Sequence, residues 1–138
     1  MPAGRRSAGK GKESLKTQIR IKIVFLHLVI IIKMNPYNVK ITAIRKVQHK
    51  DLSELYENPI EHACEVREGD TWIAVGGQKP EGLCDSAWES MRWFVEELAA
   101  GRGNFYDGWM KNPFSAMISC NDGFRPVSFL LERCEEGC

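Results

Sequence analysis

Ala116-Met-Ile-Ser-Cys-Asn-Asp-Gly-Phe-Arg-Pro-Val-Ser-Phe-Leu-Leu131 holds two short apolar runs around Asn121-Asp122-Gly123. Asp-Gly between alternating hydrophobics is a strong hairpin signal, because it tolerates the positive φ that a two-residue turn needs. With Asp122-Gly123 at the centre of the turn, Asn121 pairs with Phe124 and Cys120 with Arg125. Ile118 then faces Val127 and Ala116 faces Phe129, so every apolar pair falls on one side of the ribbon. An antiparallel hairpin is the expected end of the fold.

Upstream, Ser86-Ala-Trp-Glu89 has capping-box spacing and opens a helix. Trp88, Met91, Val95 and Leu98 recur on one face of that helix, and Gly101 suits the position just past its end. Cys64–Val66 and Trp72–Val75 read as two strands joined at Glu68-Gly69-Asp70 and closed by Gly76-Gly77. Asp51-Leu-Ser-Glu54 is a second capping box, starting a short helix that Asn58-Pro59 ends. Val39, Ile41, Ala43 and Val47 recur at even spacing, the pattern of a strand with one buried face. The predicted fold is α+β, a small and mostly antiparallel sheet covered by one long helix, in the order β-α-β-β-α-β-β.

Before this body the composition changes at Met34. Residues 1–33 carry eight Lys or Arg against one acid, Glu13, and residues 34–138 carry eleven bases against seventeen acids. The formal +1 of the whole chain therefore describes neither part. The lead includes a ten-residue apolar run, Ile23–Ile32, bounded by Lys22 and Lys33. A bilayer-spanning helix needs about 20 residues, so the expectation is no membrane partner. Ten residues suit a signal-peptide core, but Lys33-Met34-Asn35-Pro36-Tyr37 lacks the small residues of a cleavage site. A phosphate-gripping arm is weighed against an acidic body that would repel a polyanion, and no nucleic-acid partner is expected. Residues 1–33 are read as a basic, apolar extension upstream of a start at Met34, disordered in isolation or added as an edge strand. Residues 34–138 are read as a single α+β domain, long enough to bury roughly two-thirds of its unfolded surface.

Five cysteines (Cys64, Cys84, Cys120, Cys134, Cys138) include one close pair, Cys134 and Cys138. An odd count without a signal peptide points to reduced thiols and a cytoplasmic protein. In the hairpin register above, Cys120 lies across from Arg125, and a guanidinium near a thiol favours the thiolate. The alternative is that Cys120 is a small buried hydrophobe and Arg125 reaches solvent. Cys84 precedes the presumed cap Ser86, where a helix N-terminus favours an anion, while Asp85 beside it opposes that effect. Cys64 belongs to His62-Ala63-Cys64, and on a strand residues two apart point the same way. Cys64, Cys84 and Cys120, with His62 as an accessory, would suffice for a tetrahedral zinc or an iron site, although close ligand pairs are missing. Asp122 and Arg125 complete the set of accessory residues. No Gly-rich phosphate loop, G-x-S-x-G, H-E-x-x-H or C-x-x-C is present, so no catalytic motif is recognised. Trp72, Trp88, Trp93 and Trp109 are expected in the core in preference to a ligand cage, although Trp93 lies off the main helix stripe. Gly103-Asn-Phe-Tyr-Asp-Gly-Trp-Met110 reads as an aromatic loop, a lid or a contact surface.

Lys79-Pro-Glu-Gly-Leu-Cys-Asp-Ser-Ala-Trp88, Trp109-Met-Lys-Asn-Pro113 and Cys120-Asn-Asp-Gly-Phe-Arg-Pro-Val127 together resemble a family of small bacterial and archaeal proteins of about 90 residues, a single domain's length. Its pattern runs K-P-E-G-x-C-D-x-A-W and C-x-D-G-x-R-P-V-x-F. The resemblance extends from near Val39 to about Arg133. It implies that Cys64, Cys84 and Cys120 are the family's recurring cysteines and that Cys134 and Cys138 are not. Leu83 and Ser86 stand where bulkier or aromatic residues are expected. The family carries no assigned activity, so the resemblance marks residues and leaves the chemistry open.

Two classes of function follow. One is a cytoplasmic binding or sensing module whose three thiols form a metal or redox site. The other is a structural or interaction domain that forms a homo-oligomer or docks a partner, with inert buried cysteines. An enzyme is the weakest reading, because no general base is placed beside a nucleophile.

Overall fold

The computed structural model describes residues 9–135 and residue 138. The chain divides after Met34 into two units, the second spanning Asn35–Cys138. Of the first, the described part is helix α1, Gly9–Met34. The Ile23–Ile32 run is thus helical and not an edge strand. A helix satisfies its own backbone donors and acceptors, whereas an added strand would need a partner edge. No helix among the described residues is long and apolar enough to cross a membrane.

The second unit is α+β: a four-stranded antiparallel sheet of order β2-β1-β4-β3 with two helices. Its elements are β1 (Val39–Lys46), α2 (Lys50–Tyr56), β2 (Thr71–Ala74), α3 (Asp85–Ala99), β3 (Ser115–Ser119) and β4 (Val127–Arg133). Val39, Ile41 and Ala43 on β1, Ala74 on β2, Ala116 on β3 and Val127, Phe129 and Leu131 on β4 are buried. They meet Ala87, Met91, Val95, Leu98 and Ala99 of α3 in one core. The expected helix stripe therefore forms, with Trp88 at its half-buried margin.

Helix α3 ends in a Schellman arrangement. Gly101 takes φ +85° and donates to the Leu98 carbonyl at 3.0 Å, while Arg102 donates to that of Glu97 at 2.9 Å. Only a residue free of Cβ strain adopts that φ cheaply.

Four sequence expectations are corrected here. The first strand does not keep even spacing to Val47: the register with β4 shifts between Ala43 and Arg45. One extra residue reverses which side chains face the core, so Lys46 turns inward opposite Val127 and Val47 is exposed. Both capping boxes are displaced. Helix α2 begins at Lys50 with His49 as N-cap, and α3 begins at Asp85 with Cys84 as N-cap, neither with a side-chain cap. The His49 amide is held by the Phe124 carbonyl at 2.8 Å, which fixes where α2 starts. Cys64–Val66 is not a strand, so the body's order is β-α-β-α-β-β. Finally, two of the four tryptophans expected in the core, Trp93 and Trp109, are exposed.

The hairpin forms with a different register. Ala116 pairs with Leu131, Ile118 with Phe129 and Ser119 with Ser128. This is a shift of two from the expectation, so the apolar faces are preserved while the partners change. The carbonyls of Phe124 and Pro126 accept from the amides of His49 (2.8 Å) and Val47 (3.0 Å). Those residues thus extend the pairing toward β1 and are withdrawn from β3, which leaves a six-residue connection, 121–126, in place of a two-residue turn.

Candidate functional site

The connection 121–126 is organised by Asp122. Its Oδ1 accepts from the amides of Phe124 at 2.8 Å and Arg125 at 3.2 Å, an Asx-type turn. Its Oδ2 accepts from the Arg125 guanidinium at 3.1 Å. The other side of that guanidinium donates to Glu57 at the end of α2. Arg125 is 9% exposed, so the cluster is nearly enclosed. Burial pushes the Asp122 carboxyl up, but the two amides and the Arg125 charge outweigh it and hold the group below its ordinary value. The hydrogen bond that Arg125 donates to Glu57 keeps the guanidinium above its own.

The new register places Cys120 opposite Val127 and not opposite Arg125. The Cys120 amide donates to the Val127 carbonyl at 3.1 Å, and the Val127 amide donates to Cys120 Sγ at 3.3 Å. Of the two readings, the thiol–guanidinium pair does not form and Cys120 is half-buried with a thiol–amide contact, while Arg125 does not reach solvent and is engaged by two carboxylates.

Cys84 ends the Lys79–Cys84 approach to α3 and is exposed. Asp85, in the first turn, pairs with Lys79 at 2.6 Å, and that hydrogen bond lowers its pKa. A carboxylate in a first turn also complements the helix dipole. Asp85 is thus occupied by Lys79 and does not line the pocket described below.

Cys64 is held without a ladder. Lys46 Nζ, turned inward by the bulge, donates to the carbonyls of Cys64 at 2.5 Å and Val66 at 3.2 Å. The Lys46 amide reaches Glu68 Oε1 at 3.0 Å. One ammonium thereby does for residues 64–66 what a neighbouring strand would have done. His62 is exposed and lines none of the pockets around Cys64.

These elements enclose one cavity of about 130 Å³ between the sheet and the first turn of α3. Cys64, Cys84 and Cys120 all line it, with Asp122 and Arg125 at its polar side and Val66, Val127 and Phe129 among its apolar walls. Asn121 Nδ2 donates to the Ser86 carbonyl at 3.4 Å, tying the hairpin connection to the helix start. Of the residues singled out from sequence, the structure brings together Cys64, Cys84, Cys120, Asp122 and Arg125, and leaves His62 and Asp85 outside. All three cysteines are free thiols, but the expectation of reduced thiols throughout is corrected at the tail, where Cys134 and Cys138, four residues apart, are joined in a disulfide.

A zinc site needs ligands meeting at one point, with zinc–sulfur bonds near 2.3 Å. Among the described residues no three His, Cys, Asp or Glu side chains converge in that way. The three thiols share a wall and do not form a ready ligand set. Sequence reasoning missed Lys46 and Glu57. Both act through contacts to residues 18 and 68 positions away, which no local pattern records.

Comparison with protein-family models, with curated proteins and with solved structures finds no match.

Proposed function

We propose that the Asn35–Cys138 body is a small cytoplasmic binding and sensing module whose ligand-contacting groups are the thiols of Cys64, Cys84 and Cys120. The observation that carries this reading is their convergence. Cysteines from three separate segments line one cavity of about 130 Å³, two of them, Cys64 and Cys120, packed against the core at its edge. The same three cysteines are those that the family resemblance picks out, and the two it leaves aside pair with each other. The interior thiols differ in access: Cys84 is exposed, whereas Cys64 and Cys120 are half-buried.

The test is a site-resolved alkylation series on the folded chain with iodoacetamide. Cys84 should label first and Cys64 and Cys120 next, all below the urea concentration of unfolding, with alkylation shifting the melting temperature. If all three stay unlabelled until the chain unfolds, the cysteines are packing residues.

The second reading, an interaction domain, then takes over, and one observation favours it. Trp93, Phe94, Phe105, Tyr106 and Trp109 form a chain of edge and tilted ring contacts with centroids 4.9–6.5 Å apart. Trp93 (58%), Tyr106 (75%) and Trp109 (44%) stand out from the surface. Aromatic residues displayed in this way are common in interface cores, including those of homo-oligomers.

A further inference from the structure

We infer that the cavity takes small, neutral α,β-unsaturated carbonyl compounds, and that Cys84 captures them by conjugate addition. The inference rests on the reading of this cavity as a thiol site and names its ligand class.

Size comes first. A cavity of about 130 Å³ is close to the roughly 150 Å³ of an engineered protein cavity that holds benzene. The part of an occupant seated in the cavity is therefore a few heavy atoms. Val66, Ala87, Val127 and Phe129 on the walls call for an apolar body.

Charge narrows the class further. Arg125 is the cation of the lining, and both faces of its guanidinium are taken by Glu57 and Asp122. A carboxylate or phosphate would have to displace one of these and would meet the Asp122 charge in the same wall, so an anion is disfavoured. A hard cation needs a convergent oxygen set, and no such group is formed among the described residues. What remains is a neutral ligand, and among neutral ligands a soft electrophile is the class matched to the sulfur nucleophiles of the lining.

An enal or enone fits each requirement. Its alkenyl body lies on the apolar wall. Its β-carbon accepts the sulfur of Cys84, the most exposed of the three thiols. The sulfur electron pair forms the C–S bond, the C=C pair moves onto the carbonyl oxygen, and the proton given up by the thiol ends on the α-carbon. The product is the sum of the two reactants, and no oxidant, reductant or leaving group is involved. Ser86 and Ala87, in the first turn of α3, line the cavity, and that turn has no side-chain cap.

The test uses the full chain with its Cys134–Cys138 disulfide intact, crotonaldehyde, a long-chain 2-enal and iodoacetamide. Peptide mass spectrometry reads each cysteine separately. Crotonaldehyde should add to Cys84 as the whole molecule, without the loss of water that marks a lysine imine. Addition should be roughly tenfold or more faster in the folded chain than in urea, as expected for a positioned reactant, and the long-chain enal should lose that advantage. Val66→Phe, which narrows the cavity at a half-buried position, should slow crotonaldehyde at Cys84 several-fold more than it slows iodoacetamide. Equal crotonaldehyde rates in folded and unfolded chain, with iodoacetamide labelling of the folded thiols intact, would overturn the ligand class and leave the thiol site standing. Thiols that react with neither reagent before unfolding would overturn both.

Discussion

The backbone N–H of Val127 points at the sulfur of Cys120 at 3.3 Å, and the Cys120 N–H is returned to the Val127 carbonyl at 3.1 Å. This reciprocal pair closes the β3–β4 ribbon. It also fixes a thiol on the cavity wall through backbone geometry, which side-chain substitutions nearby disturb little. The six residues beyond it, 121–126, build the Asp122–Arg125–Glu57 cluster, of which Asp122 and Arg125 line the same cavity.

That cluster should be costly to break. Arg125→Gln leaves Glu57 and Asp122 without their shared cation, at side-chain exposures of 16% and 32%. Both carboxylates retain some water, so the loss should sit at the low end for a buried ion pair, about 3 kcal/mol. Urea unfolding of the variant beside the wild type measures it. A midpoint unchanged within error would mean that the cluster is screened by solvent and does not hold α2 to the hairpin.

The same carboxylate gives an acid signature. Asp122 is held below its ordinary value of 3.8. A depressed folded pKa contributes stability that is complete above the unfolded pKa and is lost as pH falls through the folded one. Stability should therefore decline below about pH 4, and Asp122→Asn should flatten that decline. Thermal melts between neutral pH and pH 2 would show it, and an identical acid limb in the variant would remove Asp122 from the explanation.

Much of the architecture was legible in the chain. The stripe Met91, Val95 and Leu98 and the exit at Gly101 were written in helical spacing, and the alternation in β1 and β4 gave an antiparallel sheet. Three features were not legible. The bulge after Ala43 reversed the facing of Lys46 because a single inserted residue is invisible to a period-two pattern. The Asn-Asp-Gly turn widened because Phe124 and Pro126 pair with residues of the β1–α2 connection, a long-range competition that local turn chemistry does not encode. Cys64 was placed by the Lys46 ammonium and not by a strand. The three cysteines of the site were nonetheless identifiable by type, while their common cavity required the fold.

Gly103 provides a steric check on the loop that displays the aromatic rings. A Cβ there would lie 2.5 Å from the Pro113 carbonyl oxygen and 3.0 Å from Phe114 Cδ1. The neighbouring Asn104 amide donates to that same carbonyl at 2.7 Å. Backbone cannot retreat without losing the bond, so Gly103→Ala should destabilise by about 1–3 kcal/mol, the usual cost of overpacking. Thermal denaturation would read the loss, and a wild-type midpoint would show that the loop repacks freely.

Removal of residues 1–33 should leave a cooperatively folding body. The core residues and the strand pairings of the Asn35–Cys138 unit lie within that unit. Circular dichroism melts of the truncated and full chains should show the same sharp transition in the body. A broad, molten transition after truncation would mean that the lead contributes to the fold.

The central claim is that Cys64, Cys84 and Cys120 line a single cavity. A short thiol-bridging reagent on the folded, monomer-diluted chain tests it most directly, with bridged peptides identified by mass spectrometry. The account predicts intramolecular bridges joining members of this trio, lost on unfolding in urea and redirected by Cys84→Ser to the Cys64–Cys120 pair. Three cysteines modified singly, with no bridge among them in the folded chain, would contradict it.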